Sequence, residues 1–227
     1  MRFPGRSVLA LLAFAGLVAA AAVPAQAAGE IARLYAPKPP AGSAYLRVID
    51  LSGQKGPLSF EGGAATAPAE GEIATLYRIV KGGAPLALSR DGKALADGVI
   101  PPADSFSTLV LLPTGAPKLI PDPTEGRNDL KAQLRFYNLA AGCLGAVTVE
   151  NGPAVFEGVP TFETRQRSIN PIEATLVAKC GDTATPTLKL PPLKAGDHFS
   201  LFLVDGASGP TLAGQRDETE PYKGPAN

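Results

Sequence analysis

The fold is decided by the stretch Lys131-Ala-Gln-Leu-Arg-Phe-Tyr-Asn-Leu139, because the chain contains a second stretch of the same form. The earlier copy is Ser43-Ala-Tyr-Leu-Arg-Val-Ile-Asp-Leu51, and both carry Leu-Arg, two bulky residues, Asp or Asn, and Leu. Each copy opens a segment that closes on an apolar run and a Gly-Ala turn, at residues 106–116 and 199–207. Self-similarity at nearly the same step predicts a duplicated structural unit.

Short apolar runs separated by Gly and Pro turn signals fill both copies. Such spacing, without a sustained helical period, is typical of β-sandwiches. The pattern predicts an all-β protein with two tandem immunoglobulin-like β-sandwich domains from an internal duplication, joined by a Pro-rich linker. The predicted divisions are a signal peptide at 1–27, a first domain at 28–112, a linker at 113–129, a second domain at 130–213 and a flexible tail at 214–227.

The N-terminal segment has the features of a secretory signal peptide. Arg2 and Arg6 precede an apolar run of mostly Ala and Leu, and Ala25-Gln26-Ala27 is a small-x-small cleavage site. The apolar run is short for a membrane span. We therefore expect export with cleavage after Ala27.

The composition argues against several ligand classes. Removal of the signal peptide takes two of the 21 Lys and Arg residues and leaves the 21 acidic residues, so no strong field favours nucleic acid. A single histidine and one cysteine pair do not make the usual zinc sets. The Gly pairs are not followed by the Gly-Lys-Ser/Thr of a phosphate loop. We expect neither a metal nor a cofactor.

Cys143 and Cys180 are the cysteines of the chain, and both lie in the second copy. In an exported protein, an even pair favours a disulfide. A redox role would favour Cys-x-x-Cys spacing, which these two residues do not have. The sequence therefore predicts a structural disulfide.

His198 is the residue on which a catalytic triad with a histidine base would depend. It follows Asp197 at the entrance to the last apolar run, and the corresponding place in the first copy is near Ser105. The chain has no Gly-x-Ser-x-Gly nucleophile elbow. A turn residue is the favoured interpretation of His198, and we expect no catalytic residue, with an O-acetyltransferase that uses His198 as the alternative.

Exposed faces are the remaining candidates for binding. Arg165 and Arg167 alternate with smaller polar residues along one predicted strand, and Asn170 follows it. They would suit an acidic polysaccharide or a protein partner, or they protect a solvated edge strand. Arg47, with Tyr45 nearby, is the other candidate for a ligand contact. The favoured interpretation of Arg47 is that it packs along an aromatic face and supports the fold.

Four motifs together resemble the family of alginate O-acetylation proteins named AlgF. They are, in chain order, Leu34-Tyr-Ala-Pro37, Ala41-Gly-Ser-Ala-Tyr-Leu-Arg-Val48, Leu134-Arg-Phe-Tyr-Asn-Leu139 and Ile169-Asn-Pro-Ile172. The resemblance covers nearly the whole chain after the signal peptide. The cysteine pair is not part of the family pattern.

The resemblance implies a periplasmic, accessory component of exopolysaccharide O-acetylation. It also implies partners, namely an SGNH-type periplasmic acetyltransferase and a membrane-bound O-acyltransferase, which would carry the chemistry. This chain would then mediate protein contacts and have no catalytic activity of its own. The alternative is a pair of carbohydrate-binding modules that hold alginate or another uronate polymer.

Overall fold

The computed structural model describes residues 38–222, apart from residues 62, 97 and 127. The predicted signal peptide lies outside these residues, and its cleavage stays a prediction. The described chain is built from β-strands, as the turn spacing predicts.

The first copy forms two sheets that make one sandwich. Its strands are β1 (Ser43–Asp50), β2 (Leu58–Phe60), β3 (Ala65–Thr66), β4 (Arg78–Lys81), β5 (Leu88–Arg90), β6 (Lys93–Ala96), β7 (Phe106–Leu111) and β8 (Lys118–Pro121). One sheet has the order β4-β1-β7-β8, with β1 parallel to β7, and the other has the order β3-β2-β5-β6. Leu46, Val48, Leu88 and Leu109 belong to the core between them.

The second copy repeats this arrangement. Its strands are β9 (Ala132–Asn138), β10 (Gly145–Val149), β11 (Ala154–Val159), β12 (Glu163–Ile169), β13 (Thr175–Cys180), β14 (Thr183–Ala184), β15 (Leu188–Lys189), β16 (His198–Gly206) and β17 (Gly209–Arg216). One sheet has the order β12-β9-β16-β17, with β9 parallel to β16. The other has the order β11-β10-β13-β14, and β15 pairs with β13. The matching orders agree with the predicted duplication into two sandwiches.

The two sandwiches share a third core. Alternate residues of a strand point to opposite faces, so Leu46 faces its own sandwich while Ile49 faces the other one. Ile49 and Val110 pack with Tyr137 and Phe202 of the second copy in a single buried cluster. The sheets that contain β1 and β9 are therefore covered on both faces, and the sandwiches pack as one body.

The segment predicted as a linker contains strand β8. Thr108 of β7 pairs with Ile120 of β8, and β8 is the edge of its sheet. An edge strand tolerates the proline at position 121, because an edge residue can do without an N–H in the ladder. The description of residues 113–129 as a spacer therefore does not hold for 118–121.

The predicted flexible tail is also partly ordered. Strand β17 extends to Arg216, and the next residues run along the first sandwich. Tyr77 N donates to Glu218 O at 2.9 Å, and Glu220 N donates to Tyr77 O at 2.8 Å. Arg78 forms an ion pair with Glu220 at 2.9 Å. The prediction of a frayed, solvated tail is wrong for 214–220, because residues 214–216 belong to β17 and because Asp217 and Glu220 pair with Arg47 and Arg78 of the first sandwich.

The cysteines form the predicted disulfide. Cys143 is bonded to Cys180 across a sequence separation of 37 residues, with their Cα atoms 5.3 Å apart. Both cysteines pack against the core of the second sandwich. The bridge therefore braces the sheet that contains β10 and β13.

Candidate functional site

Polar residues at matching positions of the two copies meet where the sandwiches join. Arg47 lies beside Thr108 across the β1–β7 pair, and Arg135 lies beside Ser200 across the β9–β16 pair. An aspartate follows the last strand of each copy: Asp122 N donates to Phe106 O, and Asp217 N donates to His198 O. Each copy thus contributes one arginine, one hydroxyl and one aspartate. We call these six residues, with Tyr77 and Tyr137, the junction cluster.

Arg47 crosses from the first sandwich into the second. Its side chain is 1% exposed. Nε donates to Thr108 Oγ1 at 2.9 Å and Nη1 donates to Asp217 Oδ1 at 2.7 Å. Nη2 donates to the hydroxyls of Tyr137 at 2.7 Å and Ser200 at 2.9 Å. Three of the four acceptors belong to the second copy or the segment that follows it, so Arg47 joins the two copies.

Aromatic rings surround the same guanidinium. Its carbon lies 4.6 Å from the ring centre of Tyr77, 5.2 Å from that of Tyr137 and 5.1 Å from that of Phe202. This agrees with the favoured interpretation of Arg47, in which an arginine packed on aromatic faces supports the fold. The burial of Arg47 rules out its second predicted role as a surface contact for a ligand.

Asp122 accepts hydrogen bonds from hydroxyl groups. Tyr77 and Thr108 donate to Oδ2 at 2.7 Å each, and Tyr137 donates to Oδ1 at 2.6 Å. Burial raises the pKa values of Tyr77 and Tyr137 above their ordinary range, so both phenols stay neutral donors. Three hydroxyl donors thus satisfy the Asp122 side chain.

Asp217 is the anion that both arginines share. Besides Arg47, it accepts Ser200 Oγ at 2.6 Å and Arg135 Nη1 at 3.3 Å. Burial alone would raise its pKa, but the two guanidinium groups and the Ser200 hydrogen bond hold the pKa below its ordinary value. Asp217 is therefore ionised at neutral pH, between the Arg47 and Arg135 guanidinium groups.

A small cleft opens beside the cluster. Its volume is ≈ 210 Å³, and its lining comes from both copies and from the segments that follow β8 and β17. The lining residues are Tyr77, Phe106, Thr124, Arg135, His198, Asp217 and Thr219. Tyr77, Arg135 and Asp217 of the junction cluster border solvent at this cleft.

His198 lies at this cleft, at the start of β16. Its counterpart in the first copy is Phe106, since the aspartates of the two copies bond to the carbonyls of these residues. The buried hydroxyl on the same strand, Ser200 Oγ, donates to Asp217 and accepts from Arg47. Arg47 thus donates to a lone pair of Ser200 Oγ that a nucleophilic attack would need, and the Ser200 side chain is fully buried.

The residues predicted as binding candidates lie in three places. Tyr45 stacks on Phe106 with ring centres 4.3 Å apart, in the first sandwich. Arg165 and Arg167 lie on β12, the edge of its sheet, and Asn170 follows it. The structure thus separates the candidates into the buried Arg47, an aromatic stack and a basic edge.

The basic edge lies on β12, an edge strand of the second sandwich. Arg165 is 55% exposed and pairs with Glu163 at 3.0 Å. Arg167 donates to Val155 O at 3.3 Å, on the edge strand of the opposite sheet. A groove of ≈ 360 Å³ runs between these edges, and Lys131, Arg167, Asn170 and Ile172 are among its lining residues. The groove combines cations, an amide and apolar side chains.

Two further properties concern the described residues. Among residues 38–222 outside the gaps, no cluster of His, Cys, Asp or Glu has the composition of a metal site. The same part of the chain contains no helix with the length and hydropathy needed to cross a membrane.

Comparison with known proteins gives a family match over most of the chain. The family model described as "Alginate O-acetyl transferase AlgF" matches residues 15–199. The alginate biosynthesis protein AlgF of Pseudomonas fluorescens is 28% identical over 209 residues, which cover 90% of this chain and 85% of that protein. The corresponding protein of Pseudomonas putida is 27% identical and covers 78% of this chain and 80% of its own length. The solved C-terminal domain of AlgF from P. aeruginosa is 23% identical, with a TM-score of 0.34, and covers 38% of this chain and 98% of that domain.

Proposed function

The chain belongs to the AlgF family, and from this premise we propose that it is a non-catalytic, periplasmic component of alginate O-acetylation. Its role is to hold acetyltransferase partners in place by protein contacts. The partners that fit this role are an SGNH-type periplasmic acetyltransferase and a membrane-bound O-acyltransferase. Export by the N-terminal segment is part of the same proposal.

The hydrogen bonds of the hydroxyl groups in the junction cluster support a non-catalytic role. Acyl transfer by a hydroxyl nucleophile needs an adjacent base and a place for the acyl carbon near both. Ser200 is buried and holds hydrogen bonds to Arg47 and Asp217, and Thr108 holds hydrogen bonds to Arg47 and Asp122. These hydroxyls join two sandwiches, and moving either to attack a substrate would break the junction.

The test compares variants in a strain whose own gene for this protein is deleted. We expect the wild-type gene and the His198→Ala gene to restore the same acetyl content of the polymer, because His198 has no catalytic task. Phe106→Ala, at the matching position of the first copy, is the control for a purely structural loss at the cleft. Co-purification of an acetyltransferase with the tagged wild-type protein tests the docking role.

Two results would contradict the proposal. One is loss of acetylation in the His198→Ala strain while the variant keeps its melting temperature and its partner. The other is acetyl transfer to polymannuronate by the purified protein alone, which would make the chain a transferase.

The basic edge favours a second function, the binding of an acidic polysaccharide. Arg165, Arg167 and Lys131 supply cations, and Asn170 supplies an amide beside an exposed Ile172. Guanidinium groups match carboxylates in a planar fork. The residues lie along an edge, where a polymer could follow the groove.

Calorimetric titration with oligomannuronate tests this second function. An Arg165→Ala, Arg167→Ala double variant should bind more weakly than the wild type. The difference in affinity between the two proteins should be smallest at high salt, where the charges are screened. The control is Lys93→Ala with Lys118→Ala, which removes the same charge from the first sandwich. Equal affinity in both double variants would rule out the edge as the site.

A further inference from the structure

The first sandwich has an edge at strand β4 that is only partly covered. β4 is the outermost strand of its sheet, next to β1. Just before β4, Tyr77 pairs on the outer side with the segment that follows β17, through a parallel bridge to Thr219. This edge therefore already accepts the backbone of an extended segment.

The pairing with the terminal segment stops before β4 ends. The hydrogen-bonding groups of alternate residues point to the same side of a strand, so those of Ile79 and Lys81 face outward like those of Tyr77. In the described part of the chain, the last bond of this pairing runs from Glu220 N to Tyr77 O. The outward N–H and C=O groups of Ile79 and Lys81 thus form an open edge, which another backbone can pair with.

A groove of ≈ 400 Å³ runs beside these open groups. Its apolar and aromatic walls come from the chain before β1, from β4 and from the terminal segment, and they include Pro40, Ala41, Ile79 and Tyr222. Its charged lining residues are one cation, Lys81, and one anion, Glu61. The charges of the lining therefore balance.

The second copy has a groove at the matching place, beside the basic edge. Arg78 and Arg167 are equivalent, because each pairs with the leucine of the Leu-Arg motif in its own copy. Each arginine also reaches across the open side of its sandwich to the edge of the opposite sheet. Arg78 donates to Ala64 O, just before β3, at 2.8 Å, and Arg167 donates to Val155 O of β11 at 3.3 Å.

The two grooves differ in charge. Among the described residues, the lining of the second-copy groove includes Lys131 and Arg167 but no acidic residue, whereas Lys81 and Glu61 balance in the first copy. The first-copy groove has no net charge with which to select an acidic polymer. It has open backbone groups beside apolar walls, and these match an extended peptide with an apolar side chain.

We propose that the edge of β4 is a docking site for an extended segment of a partner protein. The segment adds a strand beside Ile79 and Lys81 and places an apolar side chain against Tyr222. Strand addition takes its affinity from main-chain hydrogen bonds and its specificity from pockets for alternate side chains. This docking site rests on the proposed function, and it adds the place and the form of the partner contact.

The first experiment uses the ¹⁵N-labelled protein and the capped pentapeptide acetyl-Thr-Val-Thr-Val-Thr-amide. Hydrogen exchange of single backbone amides is followed by NMR during the titration. We expect a dissociation constant on the order of 1 mM for so short a ligand, and hence about threefold protection of the Ile79 and Lys81 amides at about 2 mM peptide. The amides of β6, an edge strand of the other sheet, are the control and should not change.

Two pairs of variants test the contact. Ile79→Pro removes an outward N–H that the β1–β4 ladder does not use, as an edge strand tolerates. It should weaken peptide binding at least fivefold, whereas Ile79→Val, which keeps the N–H, should stay within twofold of the wild type. If the proline variant does not fold, Tyr222→Ala decides, because Tyr222 lies after the last strand. It should weaken binding at least threefold, and its control Tyr222→Phe should stay within twofold.

The second experiment measures how much of the periplasmic acetyltransferase co-purifies with each tagged protein. The wild type and Ile79→Val should retain equal amounts, and Ile79→Pro and Tyr222→Ala should retain at least threefold less. Equal retention by all four proteins would overturn the docking site and leave the proposed function intact. If the wild type retains no acetyltransferase, the proposed function fails, and the peptide titration alone decides the edge.

Four results of the titration would overturn the assignment. The first is the absence of protection at Ile79 and Lys81. The second is equal protection of the β6 amides, which would show non-specific pairing with any edge. The third is protection that rises with protein concentration without peptide, which would assign the edge to a second copy of the chain. The fourth is protection in the free protein that is lost in a chain ending at Tyr222, which would assign the edge to the protein's own last residues.

Discussion

Replacement of Asp217 by asparagine is the sharpest test of the junction cluster. The change keeps the shape of the side chain and removes the one anion that contacts both Arg47 and Arg135. The new amide would place N–H donors against guanidinium donors. Arg47, at 1% exposure, would keep its charge but lose its direct carboxylate partner.

The expected loss of stability follows from the burial of the pair. Removing one partner of a buried ion pair costs about 3–5 kcal/mol, because the other charge stays buried. The Asp217 side chain is 8% exposed and borders the cleft, so solvent can relax around it and the low end applies. We expect a loss of about 3 kcal/mol, a large part of the roughly 5–15 kcal/mol that stabilises a typical domain.

Urea unfolding measures this loss. With a slope of about 2 kcal/mol per molar urea, a loss of about 3 kcal/mol lowers the midpoint by about 1.5 M. Glu218→Gln is the matched control, since Glu218 is the exposed neighbour and should change stability by less than about 0.5 kcal/mol. If Asp217→Asn unfolds within about 0.5 kcal/mol of this control, the cluster does not stabilise the junction as we argue.

Three further predictions concern the same features. The pKa of Asp217 is lower in the folded protein than in the unfolded chain. Its contribution to the free energy of unfolding is therefore complete above the unfolded pKa of about 3.9 and is lost as the pH falls through the folded pKa. The free energy of unfolding should consequently fall less steeply with acid in Asp217→Asn than in the wild type. Reduction of the Cys143–Cys180 bridge should cost about 3–4 kcal/mol for its 37-residue separation, whereas a Cys143→Ser, Cys180→Ser double variant should be insensitive to reductant; equal sensitivity would contradict the assignment. A chain ending at Arg216 should be less stable than Asp217→Asn, and a chain ending at Pro221 should match the full chain; equal melting of the two truncations would show that the terminal segment has no structural role.

The sandwiches could be predicted because their signals are local. The repeated pairs Leu46-Arg47 and Leu134-Arg135 lie within the first strand of each copy, and each copy closes on an apolar run. Together these features specify the first strands and their spacing. Turn residues then divide the intervening sequence into strands of the right length. Within the repeated stretch 131–139, residues 132–138 form strand β9.

The junction could not be predicted in the same way, because its partners are far apart in sequence. Arg47 and Asp217 are separated by 170 positions, and a lone aspartate in a charged segment suggests a solvated tail. One signal was nevertheless present. Asp122-Pro-Thr-Glu125 and Asp217-Glu-Thr-Glu220 have the same form and follow the last strand of each copy. Alignment of the two copies beyond their final apolar runs would have identified both aspartates.

The Leu-Arg pair also explains why the two surfaces of the protein are held in a fixed relation. In each copy the leucine faces its own core, and the arginine beside it reaches the other copy or the segment that follows it: Arg47 donates to Tyr137, and Arg135 donates to Pro123 O. A charge at such a position is tolerated when the neighbour supplies a carboxylate, and for Arg47 that carboxylate comes from the segment after the last strand. Neither copy therefore supplies by itself all the hydrogen-bond partners of its buried arginine. A flexible spacer would let the basic edge of the second sandwich move relative to the first, whereas a shared core and crossed segments do not. For a component proposed to hold partners in place, this fixed geometry is the property on which the function depends.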